Sequence, residues 1–212
     1  MMVVIVVPTA YIRTMGVEKL AVFLALFVVA HCYPRSFRNR CEVKTFQFVS
    51  REEWGARRPF ATSNLSHPVP YVVIHHSYLP AACYTREACA GAMRSMQNFH
   101  QITQGWVDIG YNFAVGGDGA VYEGRGWNAI GAHAVGFNVK SIGIVLIGDW
   151  RAKLPPGNEL ETVKRLISTG VQLGYIRPDY KLLGHRQVTP TECPGEALYR
   201  EISTWDRFSL DI

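Results

Sequence analysis

An imidazole and a thiol stand eight residues apart at His185 and Cys193, in a stretch that also holds Pro190, Pro194 and Gly195. Two prolines and a glycine make this a stiff loop rather than a helix, and such a loop can fold both donors onto one metal ion. A third donor is available upstream, where the apolar run 71–74 ends in His75 and His76. Two histidines and one cysteine, with the fourth position left to water, form a catalytic zinc arrangement that favours hydrolysis. Adjacent strand residues point to opposite faces, so only one of His75 and His76 can aim straight at the ion. The residues alone do not choose between them. A lone buried histidine is more often hydrogen-bonded than metal-bound, and a lone cysteine more often structural; the trio together reverses both expectations. A zinc protease of the His-Glu-x-x-His class is disfavoured, because the chain holds no such pattern.

Several elements must position these donors. The β-branched run 71–75 reads as a buried strand. Thr85 can cap a helix running to about Ile102, with Cys89, Met93, Met96 and Phe99 at the helical spacing of a core face. Segments 112–115 and 121–124 flank Gly116, Gly117, Asp118 and Gly119, a hairpin signal. Residues 141–147 are apolar enough for a central strand. Asn158 with Glu161 makes a capping-box pattern, opening a helix with Leu160, Val163, Ile167 and Val171 on one face. A short strand at 181–183 delivers His185 to the sheet edge, and a last helix is expected from Gly195 to about Trp205. Strands and helices interleave around one hairpin, so the fold expected is α/β with a mixed sheet.

Composition narrows the function classes. At 212 residues and 48% apolar, the chain fills one core rather than two. A net charge of +5 fits an anionic polymer as partner but is also common in secreted domains. No Lys/Arg block resembles a nucleic-acid arm and no aromatic-basic signature of an RNA-binding sheet is present, so nucleic acid is not an expected partner. Lys19 precedes the apolar run 20–30, with Val28 and Ala30 as small residues suited to cleavage. We expect a signal peptide over 1–30, too short to span a bilayer, hence secretion and no stable membrane span. The apolar start at 1–7 leaves two alternatives, an uncleaved anchor or a start at Met15. A tail over 31–45 and a single domain over 46–212 follow. Cys83 and Cys89 could close a small disulfide loop in an oxidising compartment, the alternative being a pair of buried free thiols. Cys32 and Cys41 pair only if both survive processing.

The chain resembles the peptidoglycan recognition proteins of the zinc-amidase type, which share the amidase fold of bacteriophage lysozyme. The resemblance runs from about Phe48 to Trp205. Its marks are Glu53-Trp54-Gly55-Ala56-Arg57, Val73-Ile74-His75-His76-Ser77, Gly110-Tyr111-Asn112-Phe113, Tyr122-Glu123-Gly124-Arg125-Gly126-Trp127, Gly131-Ala132-His133 and the loop from His185 to Cys193. Within the family the pattern is similar to that of the secreted insect amidases. The resemblance implies a central mixed β-sheet with three main helices and a groove with Zn2+ at its floor. It places the metal ligands on His75, His185 and Cys193. It implies N-acetylmuramoyl-L-alanine amidase activity, a monomer, a role in innate immunity, and bacterial peptidoglycan fragments (muropeptides) as partners. Tyr111 matches the tyrosine that faces the nucleophilic water, and Thr191 stands where the phage enzyme has a lysine, offering a hydrogen bond without charge.

Family positions also imply substrate contacts at His76, Ser77, His100, Gly105, Trp106, Arg125, His133 and Asn138. Members that prefer meso-diaminopimelate in the stem peptide resemble this chain at Gly105, Trp106 and Arg125; lysine-preferring members tend to carry an Asn-Phe pair and an apolar residue there. Glycine leaves room, tryptophan makes a wall, and a guanidinium matches the additional carboxylate of diaminopimelate. Gln104 departs from members with arginine at that place. Two other classes remain open on the residues: a non-catalytic pattern receptor, which needs the groove but not the metal, and a structural or bactericidal wall binder, whose activity survives chelation.

Overall fold

The computed structural model describes residues 26–31 and 42–212. The expected leader falls outside the described residues over 1–25, and the expected tail over 32–41. The described chain forms β1 (Leu26–His31), β2 (Glu42–Val49), β3 (Val69–His76), β4 (Phe113–Val115), β5 (Ala120–Glu123), β6 (Ser141–Leu146) and β7 (Ile176–Gly184), with helices α1 (Arg86–Asn98), α2 (Gly157–Gln172) and α3 (Glu196–Ile202). The strands make one sheet in the order β1-β2-β5-β4-β6-β3-β7. β1 is antiparallel to β2 and β4 to β5, while the β2–β5, β4–β6, β6–β3 and β3–β7 pairs are parallel. This is the mixed α/β architecture with three main helices that the sequence led us to expect.

Alternation along the central strands sorts the core into two faces. Ile74, Ile144 and Leu146 pack with Leu166 of α2 and Leu198 of α3. Val145 and Tyr122 pack with Met93 and Met96 of α1. Cys83 and Cys89 are joined as a disulfide at the start of α1. Glycines 116 and 119 close the β4–β5 hairpin, with Gly119 N–H donating to Gly116 O at 2.9 Å.

Three details differ from the pattern expected of the residues. Thr85 does cap α1, its Oγ1 accepting from Ala88 N–H at 3.3 Å. Beyond Asn98, however, the chain continues as a π-helical turn, Phe99–Thr103. The wider turn changes the phase of the face, so Phe99 is 51% exposed while His100 and Gln101 turn inward. At α2 the cap is Pro156, and Asn158 instead donates across to Gly117 O at 3.2 Å. The Asn158–Glu161 capping box does not form, because the chain has entered the helix a residue before it. Finally, the short strand expected at 181–183 is the end of the longer β7, and α3 stops at Ile202.

Glu159 is fully buried in the first turn of α2. Its carboxyl oxygens make no well-formed hydrogen bond; burial, then the nearby Asp118, push its pKa up to about 9, a rise Ile147 only partly offsets. An acid that is neutral when folded and ionised when unfolded takes up a proton on folding. The associated stability is full below 4.5, the ordinary pKa, and is lost as pH rises toward about 9. Glu159→Gln is expected to flatten this dependence and to raise stability by more than about 1 kcal/mol near pH ~8. Melting temperatures on the acid and alkaline sides of neutrality check this; a variant melting below wild type in alkali contradicts it.

Candidate metal centre and its groove

β3 lies between β6 and β7 and runs parallel to both, with Ile74 opposite Gly184. That register sets His75 beside His185 at the carboxyl ends of two parallel strands, where ligands gather in open α/β sheets. The imidazole centroids are 4.3 Å apart. The following loop then turns back on itself: Arg186 N–H donates to Cys193 O at 2.8 Å, and the Arg186 guanidinium holds Glu192 O at 2.6 Å and Glu196 Oε2 at 2.7 Å. This closure brings Cys193 Sγ to 3.8 Å from His75 Nδ1 and 3.4 Å from His76 N.

One ligand atom from each of His75, His185 and Cys193 lies within 4.8 Å of the others. Nitrogen and sulfur bound tetrahedrally to one zinc ion stand about 3.6 Å apart, so the 3.8 Å between His75 and Cys193 fits such an ion. The donor chemistry fits as well. Burial, then His133 and His185, hold the His75 pKa well below its usual value, and burial, then His76, lowers that of His185 to about 4. Both imidazoles are therefore neutral near pH ~7 and carry a lone pair. Burial pushes the Cys193 thiol up to about 12. The thiolate is the ligand form, so an ion bound here would have to displace that proton.

His75 and His76 are separated by strand alternation. His75 faces Cys193, whereas His76 Nδ1 accepts from Trp150 N–H at 3.3 Å and stands 3.9 Å from Asp149. Over His75 the cover is built from loops rather than a helix: Tyr111 and His133 have ring centroids 5.3 and 5.0 Å from it. The Tyr111 phenol is held protonated by burial, with Cys193 adding to the upward shift. Thr191 is exposed and its Oγ1 accepts from Cys193 N–H at 3.2 Å. With Arg151, Arg186 and Glu192 it lines an open cavity of about 740 Å³ beside the centre.

The other expected contacts divide into wall, anchor and frame. His100 stacks on Trp106 at 4.7 Å and meets Tyr111 edge-on at 5.7 Å, while Trp106 itself is 37% exposed. Gly105 precedes it at φ +69° with open space around its Cα. Arg125 donates to Ile109 O at 2.6 Å, Ile130 O at 2.8 Å and Asp108 O at 3.4 Å. Ser77 spends its hydroxyl inside a turn, donating to Pro80 O and accepting from Gly148 N–H. Asn138 Oδ1 accepts from the His133 and Ala134 N–H groups at 2.8 Å, and His133 lies behind His75 with its Nδ1 3.0 Å from His75 Nε2. Beneath the loop carrying Trp106, buried Asp108 accepts from Gln97 at 2.7 Å and pairs with Arg51 at 2.9 Å. Neither Asp108 nor Ser141, which hydrogen-bonds behind His133, stands out in the sequence; a polar residue inside an apolar strand run is the only mark Ser141 carries.

The mixed sheet thus gathers a His-His-Cys donor set, beside the carboxyl ends of its parallel strands, that could hold one metal ion. A family model described as N-acetylmuramoyl-L-alanine amidase matches residues 65–196. Peptidoglycan-recognition protein LB of Drosophila melanogaster is 58% identical over 167 residues, covering 79% of this chain and 72% of that protein. Its structure in a mutant form bound to tracheal cytotoxin superposes with a TM-score of 0.76 at 57% identity, over 76% of this chain and 96% of that one. Human N-acetylmuramoyl-L-alanine amidase is 47% identical over 76% of this chain, a match that spans 29% of the human protein. Peptidoglycan recognition protein LE, solved with tracheal cytotoxin described as monomeric diaminopimelic acid-type peptidoglycan, has a TM-score of 0.76 at 42% identity, over 77% of this chain and 96% of that one. The chain belongs to the N-acetylmuramoyl-L-alanine amidase family and, within it, to the peptidoglycan recognition proteins.

Proposed function

We propose that this chain is a zinc-dependent N-acetylmuramoyl-L-alanine amidase that binds bacterial peptidoglycan and hydrolyses the amide joining the lactyl group of N-acetylmuramic acid to the first L-alanine of the stem peptide. The convergence of His75, His185 and Cys193 within 4.8 Å carries this reading. His75, His185 and Cys193 would hold a zinc ion, which when bound would supply Lewis acidity and an acidified water for amide hydrolysis. Tyr111, protonated and facing His75, donates a hydrogen bond toward the amide oxygen as negative charge develops on it. Thr191 accepts from Cys193 N–H, which leaves its own hydroxyl hydrogen to donate to the same oxygen. It carries no charge, so this site relies on neutral donors where the phage enzyme has a lysine.

The wall and anchor residues orient the stem peptide. His100 Nδ1 accepts from Gly110 N–H at 3.2 Å, so its proton sits on Nε2 as a donor for a peptide carbonyl. Burial, and then Arg125, lower its pKa to about 4, so it stays neutral through the working range. Arg125 spends one N–H from each of its three nitrogens on backbone carbonyls. One N–H remains on each terminal nitrogen, the pair that an end-on carboxylate uses. This supports a preference for meso-diaminopimelate, and the relatives solved with tracheal cytotoxin agree with it. Among the described residues no helix is long and apolar enough to cross a membrane. With a leader over 1–30, whose removal takes most of the edge strand β1 and leaves β2 at that edge, a tail over 31–45 and the domain over 46–212, the protein acts secreted, as a monomer, in innate immunity.

The decisive experiment is mass spectrometry of diaminopimelate and lysine muropeptides digested with and without a zinc chelator. Free stem peptide and intact sugar are expected, faster from the diaminopimelate substrate, and neither after chelation. Muropeptide that is bound but never cut would make the chain a pattern receptor instead.

A further inference from the structure

We propose that His133 and Ser141 are positioning residues: a directional hydrogen-bond chain through them holds His75 in the tautomer whose Nδ1 is bare and aimed at the metal. His75 Nε2 lies 3.0 Å from His133 Nδ1, and His133 Nε2 lies 3.4 Å from Ser141 Oγ. Ser141 Oγ donates to Phe137 O at 2.8 Å. A carbonyl oxygen has no proton to give, so the direction of the whole chain is set from that end. The Ser141 hydroxyl uses its hydrogen on Phe137 O and therefore receives from His133 Nε2–H. His133 Nδ1 is then bare and receives from His75 Nε2–H. His75 Nδ1 keeps its lone pair, and this is the atom 3.8 Å from Cys193 Sγ. The opposite tautomer of His75 would break a bond in the chain or turn Ser141 away from its carbonyl.

The slot that the His133 ring occupies is made by two glycines. A Cβ on Gly143 would lie 2.3 Å from His133 Cδ2, and one on Gly131 would lie 2.5 Å from it. Only residues without a side chain allow the imidazole to occupy this slot. Asn138 fixes the backbone through the His133 and Ala134 N–H groups. Both ring nitrogens of His133 are thus engaged within the protein, which moves this residue from the expected substrate contacts to the support of a metal ligand. Outer partners of this kind set the tautomer and orientation of metal-bound histidines.

The inference rests on the reading of His75, His185 and Cys193 as the zinc site, and the test separates the two. Zinc dissociation constants of the full chain are measured by competition with a chromophoric chelator, alongside the melting temperature of the metal-free protein. His133→Asn keeps an acceptor where Nδ1 stands; His133→Leu removes it. The leucine variant is expected to bind zinc about 10- to 100-fold more weakly, with the asparagine variant within about threefold of wild type. Ser141→Ala falls between them, because His133 is freed to take either tautomer. In the metal-free wild type, imidazole nitrogen NMR is expected to show His75 and His133 both protonated at Nε2. A leucine variant with wild-type affinity, an asparagine variant as weak as leucine, or a His75 protonated at Nδ1 overturns the relay. If His133→Leu does not fold, Ser141→Ala decides, and unchanged affinity there overturns it. Wild type that binds no zinc is a separate result, which removes the metal centre and the relay with it.

Discussion

Cys193→Ser is expected to lose amide cleavage while still binding muropeptide. A serine hydroxyl is a hard, protonated donor where the site offers a soft sulfur between two imidazoles. Loss of a direct ligand should cost more than the roughly 10- to 100-fold typical of an outer partner, so turnover should fall below detection. Binding should stay close to wild type, because Trp106, His100 and Arg125 stand on other segments than the loop that carries Cys193. Calorimetry with an intact muropeptide and chromatography of its digestion products separate the two quantities. Cleavage at the wild-type rate would remove metal catalysis from the account, and a parallel loss of binding would mean that the ligand loop also shapes the groove.

Asp108→Ala is expected to be the most destabilising change near the site. The Asp108 side chain is 4% exposed and pairs with Arg51, itself 23% exposed. It also accepts from Gln97 Nε2 at 2.7 Å and Ile109 N–H at 2.8 Å. Removing it leaves a half-buried guanidinium, a buried amide and a buried N–H without their shared acceptor. Breaking such a pair from one side costs about 3–5 kcal/mol. Chemical denaturation should report a loss of that order. The groove should suffer too, since Asp108 lies between Trp106 and Tyr111 and its carbonyl accepts from Arg125. A loss below about 1 kcal/mol, the range of an exposed pair, would mean that water replaces the carboxylate.

The reach of the residues alone is uneven, for physical reasons. The convergence of the donor trio was legible because ligand chemistry restricts residue types and the prolines around Cys193 restrict the loop. The choice of His75 over His76 was half-legible: alternation says that they diverge, but not which one meets Cys193. Helix α1 was legible through its cap and spacing up to Asn98. The π-helical turn after it was not, since helical periodicity carries no sign of a widened turn. Asn158 met the local rule for a cap, but Pro156 takes that position and the Asn158 Nδ2 donates to Gly117 O from inside the first turn.

By itself the sequence determined the chemistry that was available here: which donors, on which kinds of element, in a chain large enough for one core. Local spacing and side-chain chemistry are short-range properties, and a reader of the chain can use them directly. The tertiary structure decided which of those groups meet. Parallel pairing of β3 with β7 set His75 beside His185, and closure of the 185–193 loop returned the sulfur. Packing of β6 against β3 put Ser141 and the slot at Gly143 within reach of His133. Those contacts join residues far apart in the chain, so they exist only once the sheet has formed.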